Sequence, residues 1–165
     1  MTTAQEHADW LAHPTGKIGK GEYCSTCSRF NARTVASDVI LLDGTKVLLV
    51  KRGEEPDKGW WDIPGGYLDW DQTLEESSAR ELLEETSLVV KPEDLELLQV
   101  YSNPENKAQN QVIDIYYVAR IFSGEVHIDG EEIVAAQWFD LKNLPETVAF
   151  DHRSVLEQLQ KNLNL

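Results

Sequence analysis

The sequence predicts an α/β fold in which helices cover both faces of a mixed β-sheet. Two strand-like segments precede a helix, and further strands precede a last helix, an order typical of a sheet packed between helices. The chain has 165 residues, 41% of them hydrophobic and 27% charged, which suits one domain with a single sizeable core.

A change of composition near Thr34 divides the chain. We expect residues 1–33, which are polar and without clear periodicity, to form an N-terminal extension, and residues 34–165 to form the domain. The extension carries Cys24 and Cys27 in a C-x2-C pair. Because structural Zn²⁺ takes four ligands, this pair supplies only half of a zinc site.

Two histidines of the extension, His7 and His13, can complete such a zinc site, although their spacing is unusual. Two free thiols are the favoured interpretation of the cysteine pair, and structural Zn²⁺ is the alternative.

Strands are predicted wherever β-branched residues and Leu cluster. Residues 34–42 and 46–52 show this pattern on either side of Asp43-Gly44, which predicts a hairpin. Later segments of the same kind are residues 96–101, 111–122 and 133–139.

Two helices are predicted from their first residues and their periodicity. Thr73 followed by Glu76 is a capping box, so the first helix begins there and ends near Thr86 or Ser87. The second begins near His152 after a capping Asp151, with Val155, Leu156 and Leu159 on one apolar stripe.

The first predicted helix carries three carboxylates on one face. At 100° per residue, Glu81, Glu84 and Glu85 share an arc of about 100°, next to an apolar face. Like charges at this spacing repel each other, and anions near the end of a helix oppose its dipole. A bound Mg²⁺ or Mn²⁺ would offset both effects, and the alternative is an ordinary solvated acidic face.

A glycine-rich segment precedes this helix. It reads Trp60-Trp61-Asp62-Ile63-Pro64-Gly65-Gly66, and paired glycines allow the backbone to approach a ligand closely. A simple tight turn is the other interpretation.

Residues 66–88 resemble the signature of the Nudix hydrolases, G-x5-E-x7-R-E-U-x-E-E-x-G-U, in which U is aliphatic. Seven of its nine specified positions match, including every acid of the R-E-U-x-E-E core. The corresponding residues are Gly66, Gln72, Arg80, Glu81, Leu82, Glu84, Glu85, Ser87 and Leu88. Gln72 replaces a Glu and Ser87 replaces a Gly, and neither change removes a metal-binding acid.

The resemblance implies a Nudix-type α/β/α sandwich and hydrolysis of the pyrophosphate bond of a nucleoside diphosphate derivative with Mg²⁺ or Mn²⁺. By position, Glu81, Glu85 and the Gly65 carbonyl are metal ligands, and Glu84 is a further or water-mediated ligand. Arg80 is expected to orient the glutamates. The general base is a glutamate of the signature, such as Glu81, or an acid of a later loop.

In that later loop Glu132 is favoured slightly over Glu131, and a solvated turn is the alternative interpretation of both. Arg52, Gly66, Trp60 and Tyr67 are candidate substrate-binding residues, the aromatic ones through stacking on a base.

The resemblance favours ADP-ribose as substrate, because residues 100–104 look like a segment of ADP-ribose pyrophosphatases. Nucleoside triphosphates, NADH and a non-catalytic ADP-ribose sensor are the alternatives. Homodimers are common among similar enzymes.

Charge narrows the set of partners. Fifteen Lys and Arg against 29 Asp and Glu give a net charge of −14, which disfavours nucleic acid and anionic membranes. The aliphatic runs are too short to span a bilayer, and residues 1–10 lack the features of a secretory signal. We therefore expect a cytoplasmic location.

Overall fold

The computed structural model describes residues 23–24, 29–30, 33–103, 112–128 and 130–165. The chain divides into a unit of residues 1–33 and a unit of residues 34–165. In the first unit, β1 (Tyr23–Cys24) and β2 (Arg29–Phe30) pair antiparallel. The zinc hypothesis concerns side chains outside the described residues, so it stays a prediction.

The second unit contains a seven-stranded mixed sheet and two α-helices. Its strands are β3 (Val35–Asp43), β4 (Lys46–Arg52), β5 (Trp61–Asp62), β6 (Gly65–Tyr67), β7 (Glu96–Tyr101), β8 (Ile113–Ala119) and β9 (Ile133–Asp140). The helices are α1 (Leu74–Thr86) and α2 (His152–Asn162), and short 3₁₀ helices span Pro92–Asp94 and Leu141–Asn143. Among the described residues, no helix is both long and apolar enough to cross a membrane.

The sheet opens between β3 and β4, and this opening positions the glycine-rich segment. The two strands pair only next to their turn, at Leu42 with Val47 and Asp43 with Lys46. Farther from the turn, β4 pairs with β5 and β3 pairs with β6. The other edge of β3 runs parallel to β8, and the other edge of β4 pairs with β9.

Side-chain alternation along the central strands builds one core on each face of the sheet. Ile40 and Leu49 pack in the core that also buries Val155 and Leu156 of α2. Val39, Leu41 and Leu48 pack in the other core, with Leu82 of α1. Full burial of one such side chain contributes about 1.5–3 kcal/mol to folding. The predicted α/β/α sandwich is thus confirmed.

The capping box of α1 is confirmed. The Thr73 side chain accepts a hydrogen bond from the Glu76 N–H, and the Glu76 carboxylate accepts one from the Thr73 N–H. At the other end Ser87 adopts the left-handed conformation, with φ 60° and ψ 10°. The family pattern places Gly at this position because such a φ strains any residue with a Cβ.

Two local predictions need correction. Asp151 occupies the N-cap position of α2, but its side chain makes no capping hydrogen bond, and its φ of −94° and ψ of 6° are not the extended values of a capping residue. The glycine-rich segment contains β5 and β6, which the sequence did not reveal. Strands of two and three residues exist only through pairing with β4 and β3, so they leave no periodic pattern.

The strained end of α1 generates a stability prediction. Ser87→Gly relieves the positive φ and should raise the free energy of unfolding by about 0.5–1 kcal/mol, net of the greater freedom of Gly in the unfolded chain. Urea unfolding measures the change. Ser87→Ala keeps the strain and is the matched control, so equal stability of the two variants would contradict this explanation.

Candidate active site

A cavity of about 650 Å³ lies where the glycine-rich segment meets α1 and the beginning of α2. Glu81, Glu84 and Glu85 of α1 line it, together with Gly65 and Gly66. The structure therefore brings the acidic helical face and the paired glycines, which were predicted separately, to one place.

Close approach of β3 to Gly65 and of α1 to Gly66 explains why β6 begins with two glycines. The Gly65 N–H donates a hydrogen bond to Glu85 Oε2 at 3.1 Å. A Cβ on Gly66 would lie 2.6 Å from the Glu81 carboxyl carbon, and a Cβ on Gly65 would overlap Asp38 Oδ1. Any side chain at either position would displace a carboxylate.

Arg80 links four acceptors around the same helix. Its Nη2 lies 2.8 Å from Glu81 Oε1, and its Nη1 lies 2.7 Å from Glu84 Oε2. Its Nε donates to Gln72 Oε1 at 3.2 Å, and Nη2 also lies 3.5 Å from Asp69 Oδ2. Gln72 thus contacts Arg80 as a neutral acceptor, while Asp69 supplies a negative charge nearby.

The charge on this face is only partly balanced. Burial raises the pKa of Glu81, against the lowering effect of Arg80. Burial raises the pKa of Glu85 well above its usual range, and the carboxylates of Asp62, Glu81 and Glu132 raise it further. A group of carboxylate oxygens this close together, next to a backbone segment without side chains, fits a hard divalent cation.

The later loop contributes Glu132 to the cavity. The Gly53 N–H donates to the Glu132 carbonyl at 2.7 Å, and a Cβ on Gly53 would overlap the Glu131 carbonyl. This contact attaches the loop to the end of β4. Among the described residues that line the cavity, Glu132 is present and Glu131 is not, which separates the two candidate bases by position.

Three of the four candidate substrate-binding residues line the cavity, and one does not. Gly66, Tyr67 and Arg52 line the cavity, and the Tyr67 side chain is exposed. Trp60 is 42% exposed and is not among the described residues that line the cavity. The Arg52 guanidinium is already engaged, because Nη1 lies 2.8 Å from Asp62 Oδ2 and Nε donates to the Pro56 carbonyl at 2.8 Å.

The sequence analysis did not predict four buried ionisable residues of the cavity lining, namely Asp38, Asp62, Asp114 and His152. Asp38 and Asp114 are acidic residues within mostly apolar strands, which was the available signal. Burial raises the pKa of Asp38, and nearby Asp114 adds to the effect. Burial lowers the pKa of His152, but the surrounding carboxylates, Asp62 first, outweigh it and raise that pKa well above its usual range.

Comparison with known proteins agrees with this geometry. The family model described as NUDIX domain matches residues 32–159. An ADP-ribose pyrophosphatase of Methanocaldococcus jannaschii is 38% identical over 77% of this chain and 73% of its own length. The ADPR responsive transcriptional repressor NtrR of Acinetobacter baylyi is 29% identical over 72% of this chain and 48% of its own length.

A solved structure is similar over almost the whole chain. It is the NUDIX domain of Shewanella oneidensis NrtR complexed with ADP ribose, with a TM-score of 0.72 and 28% identity, and the match covers 94% of this chain and 97% of that one.

The raised pKa of Glu85 generates a prediction for the metal-free protein. Near the ordinary value of 4.5 and below, Glu85 is protonated and burial costs little. As pH rises through the interval up to the raised pKa, ionisation in a buried site removes stability. Glu85→Gln should therefore raise the Tm in EDTA at neutral pH by a few degrees, and the gain should vanish as pH falls towards 4.5.

Glu84→Gln is the matched control for this measurement, since the Glu84 side chain is 56% exposed and should show no such gain. A Tm of Glu85→Gln that equals or falls below the wild-type value at neutral pH would contradict the charge imbalance.

Proposed function

This chain belongs to the NUDIX domain family, and we propose that it is a pyrophosphohydrolase that cleaves ADP-ribose to AMP and ribose 5-phosphate. The observation that carries the proposal is that Glu81 and Glu85, both half-buried, lie against the paired glycines of β6, inside a cavity large enough for a nucleotide derivative. In this proposal the pyrophosphate of the substrate enters the cavity next to these two carboxylates.

Nudix hydrolases use divalent metals, and we assign Mg²⁺ or Mn²⁺ to this site. Glu81, Glu85 and the Gly65 carbonyl would hold it, with Glu84 at the more exposed end of the group. When bound, the cation supplies positive charge against the oxygens of the pyrophosphate. The choice of a hard cation rests on the oxygen-only donor set.

Arg80 acts as a positioning residue in this proposal. It bridges Glu81 and Glu84 at 2.8 and 2.7 Å, so its guanidinium holds two carboxylates that would otherwise repel each other. Gln72 contacts the same guanidinium. Since all four N–O contacts of Arg80 lie within the protein, it is better placed to orient ligands than to bind a phosphate.

Glu132 is the general base that we favour. It lines the cavity next to the end of β4, and its charge acts on both Glu81 and Glu85. A carboxylate there can take a proton from the attacking water as the new phosphorus–oxygen bond forms. The hydrogen bond from Gly53 to its carbonyl fixes the backbone of this loop.

Two similar proteins, one named for its action on ADP-ribose and one solved with ADP ribose, support ADP-ribose as the substrate. The archaeal ADP-ribose pyrophosphatase shares 38% identity with this chain, and the similar NUDIX domain of Shewanella was solved with ADP ribose. Gly66, Tyr67 and Arg52 are the lining residues that we assign to substrate binding, Arg52 through its remaining Nη2 donor. Trp60 is not among the described lining residues, so we leave it out of this group.

A non-catalytic sensor of ADP-ribose is the second candidate, because the Acinetobacter relative is named as an ADPR responsive repressor. The complete set of α1 acids and the lining Glu132 favour turnover over mere binding. Nucleoside triphosphates and NADH remain the alternative substrates.

We propose the cellular location and the oligomeric state from the sequence alone. A cytoplasmic protein that does not bind nucleic acid accords with the net charge of −14, and a homodimer accords with the family resemblance. Size-exclusion chromatography with light scattering tests the dimer directly.

The activity is tested by incubating the protein with Mg²⁺ and, in parallel, ADP-ribose, NADH, diadenosine polyphosphates and nucleoside triphosphates. We expect the highest kcat/KM for ADP-ribose, with AMP as product. Glu85→Gln should lower kcat at least about a hundredfold, the scale of removing a major stabiliser of transition-state charge. Glu93→Gln, an exposed change outside the cavity, is the control.

If ADP-ribose binds but neither wild type nor the control variant releases AMP, the sensor is the correct interpretation. An unchanged rate in Glu85→Gln would refute the role given to that residue.

The choice of base is tested by comparing Glu132→Gln with Glu131→Gln. Loss of a positioned base should lower kcat by about 10²–10⁴-fold in Glu132→Gln. Glu131→Gln should stay within a few-fold of wild type. The reverse pattern, or equal effects, would remove Glu132 from the mechanism.

A further inference from the structure

A second group of titratable side chains borders the cavity, on elements other than α1. Asp38 lies on β3, Asp114 on β8, and His152 is the first residue of α2. Their side chains are only 8%, 9% and 4% exposed. One possible ligand atom from each residue lies within 4.8 Å of the other two.

The orientation of the His152 ring leaves one nitrogen directed at the two carboxylates. Its Nδ1 lies 2.5 Å from Asp62 Oδ1, so the Nδ1–H donates to that carboxylate. Its Nε2 lies 3.9 Å from Asp38 Oδ2 and 3.7 Å from Asp114 Oδ2. These separations exceed those of a direct hydrogen bond. They suit two ligands of one ion bonded at about 2.1 Å.

Two carboxylate oxygens of this group are unsatisfied. Asp38 Oδ2 and Asp114 Oδ1 are buried and accept no hydrogen bond from any described residue. A buried carboxylate oxygen without a donor is costly and uncommon in native proteins. Asp38 Oδ2 is also the oxygen near His152 Nε2, and solvent barely reaches it, so an ion between these side chains is a better partner for it than bulk water.

Protons and a cation would compete for this group. Burial raises the pKa of Asp38, and nearby carboxylates raise the pKa of His152, which favours the protonated form of both side chains in the metal-free protein. A bound dication would replace these protons as the positive charge beside the carboxylates.

We propose that Asp38, Asp114 and His152 bind one first-row transition-metal dication, such as Zn²⁺, at a site distinct from the oxygen-only site of α1. An imidazole nitrogen among the ligands favours such a metal over Mg²⁺. Supporting contacts of the expected kind are present, since Asp62 holds the far side of the His152 ring and the Tyr116 hydroxyl donates to Asp114 Oδ2 at 2.7 Å.

The bound ion would join β3, β8 and the beginning of α2 beside the cavity. Its existence does not depend on the proposed activity, because the ligands belong to other elements than α1. Binding and stability, rather than turnover, therefore provide the test.

The test is a calorimetric titration with Zn²⁺ in excess Mg²⁺, which fills the α1 site, on a chain carrying Cys24→Ser and Cys27→Ser. We expect one tight Zn²⁺ site per chain and a higher Tm when it is filled. His152→Gln and Asp114→Asn should each weaken this binding at least about tenfold. His127→Gln, at an exposed histidine, should leave it unchanged.

The double variant Glu81→Gln with Glu85→Gln, made in the same background, separates the two sites. Retention of the Zn²⁺ site there supports the proposal. Loss of the site there with retention in His152→Gln would overturn it, and so would the lack of a tight site in the parent chain.

Anomalous diffraction at the zinc edge, from crystals of the unaltered protein grown with Zn²⁺, gives an answer that needs no variant to fold. A peak between Asp38, Asp114 and His152 supports the site. Zinc found only at the α1 glutamates or at the cysteine pair overturns it.

Discussion

The contact between the acidic face of α1 and the glycine pair Gly65-Gly66 of β6 is the constraint on which the rest of the cavity depends. Glu85 accepts a hydrogen bond from Gly65, and Glu81 fills the space that a Cβ on Gly66 would need. The opening between β3 and β4 leaves room for this glycine pair, since β5 and β6 occupy it. Strand pairing, a glycine pair and a capped helix thus bring two carboxylates to the same backbone segment.

Such an arrangement has an electrostatic cost that the protein offsets only in part. Arg80 balances Glu81 and Glu84, whereas Glu85 faces Asp62 and has the backbone of Gly65 as its donor. Folding brings these carboxylates together in spite of their mutual repulsion. A bound cation relieves that repulsion, so the site favours cation binding. The same burial therefore lowers the stability of the metal-free protein and favours the binding of a cation.

The sequence predicted the parts of this site that have local patterns. The capping box of Thr73 and Glu76 predicts the start of α1, and helical periodicity places Glu81 and Glu85 on one face. It did not predict the group around His152, because each member stands alone in its own segment and only the parallel pairing of β3 with β8 places Asp38 beside Asp114 in the sheet. Position next to a motif is also a weak guide to the cavity lining: Trp60 precedes the glycine pair but is not among the described lining residues.

Thermal unfolding with Mg²⁺ and with EDTA tests most directly whether Glu81 and Glu85 of α1 form the cation site. Wild type should gain Tm with Mg²⁺, because a ligand that binds only the folded state stabilises it. The double variant Glu81→Gln with Glu85→Gln should show no gain, while its Tm in EDTA should be at least that of wild type. Equal Mg²⁺-dependent shifts in the two proteins, or no shift in wild type, would contradict the account.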